Sequence, residues 1–129
     1  MNNLTLVTES LINTIEPADY NEKILKSYFS QNYIQCVDGK TLLFDEFCKH
    51  IKLLKQHTLR RKLIINTIIS QDDTVFTNHT VQVLTSPNKL STIKVLAMFK
   101  VKDNKIISCD ELTFLLEGDL KNKDLGSMS

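Results

Sequence analysis

Residues 91–118, STIKVLAMFKVKDNKIISCDELTFLLEG, decide the fold. Apolar and polar residues alternate on both sides of Asp103-Asn104, which predicts two antiparallel strands, 91–101 and 105–116, joined by a tight turn. In the first, Ile93, Val95, Ala97, Phe99 and Val101 share one face, while Lys94, Lys100 and Lys102 point the other way. The second carries a carboxylate pair, Asp110 and Glu111, and its parity is open: Ile106, Ser108, Asp110, Leu112 and Phe114 compete with Ile107, Cys109, Glu111, Thr113 and Leu115. Either register turns one carboxylate inward. A carboxylate in a sheet of Ile, Val, Ala and Phe costs free energy unless it faces water or lines a pocket. The expectation is a small α+β cup with a ligand cavity.

Working back from this hairpin, residues 62–70 and 74–85 show the same alternation. The short polar connections Gln71-Asp72-Asp73 and Ser86-Pro87-Asn88-Lys89 predict that consecutive strands pair as an antiparallel meander. Before residue 62 the period is helical. Leu4, Val7, Leu11 and Ile15 predict a first helix that ends before Pro17. Asp19 with Glu22 resembles a capping box, and Ile24, Leu25, Tyr28 and Phe29 give a second helix that ends near Ser30. Residues 33–37 are short and β-compatible, Asp38-Gly39 is a turn signal, and Phe44, Phe47, Cys48, Ile51 and Leu54 mark a third helix at about 43–56. Helices first and strands after, without βαβ alternation, predict helices covering one face of a curved antiparallel sheet. One domain, 1–118, and a polar tail, 119–129, are expected.

The 129 residues suffice for a self-supporting core. A net charge of +1, from 16 basic and 15 acidic residues, provides no global field for a polyanion or an anionic membrane, so neither nucleic acid nor membrane is an expected partner. No window approaches the roughly 20 apolar residues of a membrane span. The N-terminus lacks the pattern of an export signal. Cys36, Cys48 and Cys109 form an odd set within apolar patterns, as expected of reduced thiols in a cytoplasm. Cytoplasmic localisation is the resulting expectation.

In the second strand, Val75, Thr77, His79, Val81 and Val83 form the inward set, which makes His79 the best placed of the three histidines. An inward carboxylate loses hydration, its pKa rises toward neutrality, and an adjacent imidazole can share the proton. The functional reading is a Glu111–His79 acid–base pair, with Asp38 and the Tyr28 or Tyr33 hydroxyl at the helix end of the cup. The competing reading puts Asp110 and Glu111 at a solvated edge and makes His79 a hydrogen-bonded core residue. Cys36 and Cys109 are nucleophiles only if a base lies beside them; otherwise they are buried, inert thiols. Lys49, Lys52, Lys55, Arg60, Arg61 and Lys62 read as a solvated face. His50 and His57 lack spaced partners, no HExxH or CxxC occurs, and only three glycines are present, so neither metal nor cofactor is expected.

Residues 28–42, YFSQNYIQCVDGKTL, and 95–119, VLAMFKVKDNKIISCDELTFLLEGD, together with the order of elements, resemble the SnoaL-like branch of the nuclear transport factor 2-like superfamily over nearly the whole chain. The resemblance implies a cone-shaped, cystatin-like α+β barrel, three helices packed in a strongly curved sheet, with a pocket at the wide end. It also implies homodimers through the outer sheet face. Aligning KIISCDELT with the family's last strand puts Glu111 rather than Asp110 at the pocket, with Cys109 and Thr113 beside it. His79 falls where a pocket-facing polar residue is common.

Cys36 stands where relatives often carry a histidine. Ala97 stands where ketosteroid isomerase-like members carry a second acid, so a two-acid steroid isomerase is not expected. The site expected from these readings has Glu111 and His79 as catalytic groups, lined by Tyr28, Tyr33, Cys36, Asp38, Phe47, Ala97, Phe99, Cys109 and Thr113. Its ligand is a small apolar or carbonyl-bearing molecule. The functional expectation is a pocket protein, either a cofactor-independent isomerase or cyclase or a non-catalytic ligand-binding or dimeric assembly module.

Overall fold

A computed structural model describes residues 1–118, so the tail expected at 119–129 lies outside the described residues. Helix α1 (Asn3–Ile15) starts where the Asn2 side chain accepts from the Thr5 N–H at 2.8 Å, satisfying one of the orphan donors of the first turn. Helix α2 (Glu22–Tyr28) is capped by Asn21, not Asp19, and ends at Phe29, whose backbone is already extended. Strand β1 (Phe29–Val37) therefore begins earlier than the expected 33–37. Asp38 and Gly39, both with positive φ, turn the chain into a short β2 (Lys40–Leu43) that the sequence reading did not contain. Helix α3 (Phe44–Gln56) begins with Glu46 accepting from the Leu43 N–H, and it buries Phe44, Phe47, Cys48, Ile51 and Leu54.

Four long strands follow: β3 (Arg60–Gln71), β4 (Thr74–Ser86), β5 (Lys89–Lys102) and β6 (Lys105–Glu117). They form the expected antiparallel meander, and β1 joins β6 in parallel to give the order β2-β1-β6-β5-β4-β3. Irregularities interrupt the ladders at Ile65/Thr67, Leu84/Ser86, Thr92/Ile93 and Lys100/Val101. Each adds a residue to one strand, which bends the sheet around the helices. The last of these resolves the parity of β6. Lys100 pairs with Ser108 but Val101 with Ile106, so Ile107 is the extra residue and Ile106, Cys109 and Glu111 all face the core. Neither strict alternation holds along the whole strand.

Two basic residues also depart from the solvated face expected of them. The buried Arg61 guanidinium donates to the backbone carbonyls of Ile15 at 2.8 Å and Pro17 at 3.0 Å, and to Thr58 Oγ1 at 2.7 Å. Lys55 donates to the Asp19 carbonyl, and its burial, with Arg61 nearby, lowers its pKa to about 8. Arg61 satisfies the Ile15 carbonyl that α1 leaves open, and the two side chains together hold the segment that follows it. Glu16 completes the anchor by accepting from the Leu63 N–H. Arg61→Ala should therefore lower the unfolding free energy by about 3 kcal/mol, the range for orphaning several buried polar groups. The exposed Lys62→Ala should change it by less than about 0.5 kcal/mol. Urea unfolding of both variants checks this, and equal effects would rule out the anchor.

Candidate functional site

The inner faces of β1, β5 and β6 meet α1 and α3 around a cavity of about 20 Å³, lined by Ser10, Leu11, Thr14, Ile15, Phe29, Tyr33, Gln35, Phe47, Ile51, Phe99, Cys109 and Glu111. That space suits one or two waters. Phe29, Tyr33 and Phe47 form an aromatic cluster beside it, with ring centroids 4.8–4.9 Å apart. The walls are mostly apolar, but the sheet side ends in a short polar chain. The Cys109 thiol donates to Glu111 Oε2 at 3.7 Å, and the Tyr33 hydroxyl donates to Gln35 Oε1 at 2.7 Å.

Three buried polar atoms in this lining have no hydrogen-bond partner: Thr14 Oγ1, Gln35 Nε2 and Glu111 Oε1. Buried polar groups are nearly always paired in folded proteins, so three unpaired atoms around one cavity depart from the usual pattern.

Glu111 is 6% exposed and sits between Ala97 of β5 and Val37 of β1. Burial, reinforced by the negative charge of Asp38, pushes its pKa up to about 8, so at neutral pH it is chiefly the protonated acid. Burial also raises the Tyr33 hydroxyl and the Cys109 thiol well above their ordinary values, which leaves both protonated. Asp38 holds the acid in place from the β1–β2 turn. Its backbone N–H donates to the Glu111 carbonyl at 3.0 Å, and its carboxylate accepts from both the backbone N–H and the hydroxyl of Thr113.

Of the residues singled out in the sequence, Glu111, Tyr33, Phe47, Phe99 and Cys109 meet at the cavity. Ala97 is buried directly behind Glu111 in the register. Asp38 and Thr113 bind each other at its margin, Cys36 lies on the opposite face of β1 from Tyr33 and Val37, and the Tyr28 hydroxyl accepts from Asn13 outside the lining.

His79 is buried on the inner face of β4, where its Nδ1 hydrogen-bonds the Thr77 hydroxyl at 2.9 Å. It aligns with Val95 and, through β5, with Thr113, while Glu111 aligns with Ala97 and Thr77. Two strand spacings and a shift of two residues separate them, roughly 12 Å between Cα positions for a flat sheet. The two side chains do not form a pair, and burial lowers the His79 pKa to about 4. Ser10, Thr14 and Gln35 were not singled out. Gln35 was legible, since it alternates with the buried Tyr33 and Val37 in YIQCV.

No helix among the described residues is long and apolar enough to cross a membrane. Among the described residues no group of three or more His, Cys, Asp or Glu side chains is placed to hold a metal ion.

No family profile matches the chain. An uncharacterized protein of Schizosaccharomyces pombe is 36% identical over 104 residues, spanning 81% of this chain and 80% of its own length. The putative polyketide cyclase IdmH of Streptomyces antibioticus superposes with a TM-score of 0.74 at 10% identity, over 87% of this chain and 92% of that one. An LEH-like epoxide hydrolase of M. tuberculosis gives 0.71 at 15% identity, over 95% and 86%. The chain belongs to the family of the Schizosaccharomyces protein, and its fold is that of the SnoaL-like cyclase and epoxide hydrolase structures.

The two buried titrating groups set opposite pH slopes. The folded pKa of Glu111, about 8, lies above its ordinary 4.5, so its contribution to stability falls as pH rises from 4.5 to 8. For His79 the folded value, about 4, lies below 6.5, so stability falls as pH drops from 6.5 to 4. The slopes cancel between 4.5 and 6.5. Above 6.5 Glu111 dominates and removes up to about 2 kcal/mol by pH 8, at about 1.4 kcal/mol per pH unit, with Lys55 opposing it only as pH nears 8. Urea unfolding at pH 6.5 and 8 should show that decline in the wild type and not in Glu111→Gln, and the same decline in both would refute the assignment.

Proposed function

We propose that this chain is a small-molecule pocket protein in which Glu111 acts as the acid–base group on an apolar, carbonyl-bearing substrate, without a cofactor. The observation that carries this reading is the protonated, half-partnered carboxyl of Glu111, whose Oε1 faces an apolar cavity. A neutral carboxylic acid at pH 7 can hydrogen-bond a carbonyl oxygen and pass it a proton.

In an intramolecular aldol cyclisation, the nucleophilic carbon forms the new C–C bond. The enol form of the substrate supplies that carbon; as the acceptor C=O π bond breaks, its oxygen takes the Glu111 proton, and the Glu111 carboxylate then recovers the proton that the enol hydroxyl loses on becoming a ketone. Isomerisation uses the same group in the same two directions. The similarity in fold to a putative cyclase and an epoxide hydrolase is compatible with either chemistry. His79 has no part in this step. A ring-sized substrate needs more room than about 20 Å³, so on this reading the cavity lining rearranges as it enters. The free thiols Cys36, Cys48 and Cys109 suit a reducing cytoplasm.

The test is a thermal-shift screen against hydrophobic ketones, lactones and epoxides, run beside Glu111→Gln. A compound at about a hundred times its dissociation constant should stabilise the wild type by roughly 2.7 kcal/mol. Glu111→Gln should still bind such a compound and lose its turnover. Turnover undiminished in Glu111→Gln would end the catalytic reading and leave a binding module.

A second copy of the chain is the proposed protein partner. The outer face of β5 and β6 exposes Leu96, Met98, Leu112, Phe114 and Leu116, with Leu112 64% and Phe114 68% exposed, and Leu96 lies directly opposite Leu112. Adjacent apolar side chains of this kind are what a self-pairing sheet presents. Phe114→Lys should convert a dimer to a monomer in sedimentation equilibrium while leaving the fold intact. A wild-type monomer would refute the dimer.

A further inference from the structure

We propose that Gln35 and Glu111 together form a two-donor seat for one oxygen atom of a neutral ligand, so that the site takes ketones, esters, lactones and amides and rejects carboxylates. This rests on the reading of the cavity as a ligand site and names the chemical class it selects.

Gln35 is buried on the inner face of β1, between Tyr33 and Val37. Gln35 lines the cavity, and the Tyr33 hydroxyl donates to its Oε1, which leaves Nε2 as the free end of the amide, buried and without a partner. Tyr33 is thus a positioning residue for the Gln35 donor. On β6 the Cys109 thiol occupies Glu111 Oε2, so the acid's proton belongs on the unpartnered Oε1. The two strands are parallel, with Gln35 opposite Cys109 and Val37 opposite Glu111. Gln35 and Glu111 are therefore diagonal neighbours, roughly 8 Å apart at Cα by standard strand spacing, and both side chains are long enough to converge between them. Two convergent donors match the two lone pairs of a carbonyl oxygen.

The charges around the seat set its selectivity. The titratable groups facing it are Tyr33 from β1 and Cys109 and Glu111 from β6, and the nearby carboxylates are Asp38 in the turn and Asp110 behind. The parts of α1, α3 and β5 that line the cavity carry no charged side chain, and among the described residues no Lys, Arg or His lines it. A ligand carboxylate would meet negative charge without a cation to offset it and would lose its hydration. The Thr14 hydroxyl, also unpartnered, offers a third contact from the helical wall.

The experiment uses isotope-labelled full-length protein and two probes of similar shape, cyclopentanone and cyclopentanecarboxylate, titrated at pH 7 and followed by NMR. Cyclopentanone should move the Gln35 side-chain amide signals together with the Leu11 and Ile51 methyl signals. It should bind at least tenfold more tightly than the carboxylate, and Gln35→Met should weaken it at least tenfold. The amide shift and the probe ratio are read on the wild type, so they stand even if Gln35→Met fails to fold. Methyl shifts with a silent Gln35 amide, or equal binding of the two probes, would overturn the seat while leaving the cavity a ligand site. No probe-induced shift in any lining residue would overturn the seat and the ligand reading together.

Discussion

The register of β6 is the constraint on which the rest of the molecule depends. The extra residue at Ile107 shifts the strand's inward set, and Asp38 then pins the result from the β1–β2 turn through the Glu111 carbonyl and Thr113. A slip of one residue would exchange every side chain between the two faces. Asp110 and Leu112 would enter the core, and Cys109 and Glu111 would leave it. The cavity chemistry, the apolar outer stripe and the packing of β1 in parallel beside β6 are thus consequences of one bulge and one turn. The central position of β6, paired on both sides, makes this register costly to change.

The same register commits the protein to an energetic conflict. Burial favours the neutral acid form of Glu111, and a buried polar atom with neither a protein partner nor a water, as on Thr14, Gln35 and Glu111 in a dry cavity, costs about 1–3 kcal/mol. The offset comes from the surrounding core. The Phe29–Tyr33–Phe47 cluster and the fully buried Leu25, Ile51, Leu54, Ile93 and Ile106 supply apolar burial on both sides of the site. Among the described residues, buried side-chain atoms without a partner also occur at Glu9 and His50, but three of them, on Thr14, Gln35 and Glu111, line this one cavity.

The fold was legible because its signals are local. Alternation in β4 and β5, the turn pair Asp103-Asn104 and the helical stripes of α1 and α3 each act over a few residues. The first half of β1 was not, since Ser30, Gln31 and Asn32 are poor strand formers held there within a strand whose partner is more than 70 residues away. The bulge at Ile107 has no sequence mark, and so alternation left the parity of β6 open. The separation of His79 from Glu111 is equally invisible, because facing inward is a local property and lateral distance depends on strand order. Lys55 and Arg61 look like surface residues until the carbonyls of Asp19 and Ile15, at and beyond the end of α1, call them inward.

The surroundings of Glu111 limit the chemistry that the fold could host. Burial keeps Cys109 a thiol and Tyr33 a phenol, and His79 is neutral across the physiological range and lies elsewhere on the sheet. Among the groups lining the cavity, Glu111 is the one whose proton exchanges near neutrality. On the proposed reading, a mechanism that needs a separate acid and base, each titrating near pH 7, has no second member here. A reaction in which the same carboxyl gives a proton and takes one back needs none. Aldol-type cyclisation and double-bond isomerisation satisfy that condition, and the donor placed beside Glu111 by Tyr33 and Gln35 would stabilise the oxygen on which charge develops.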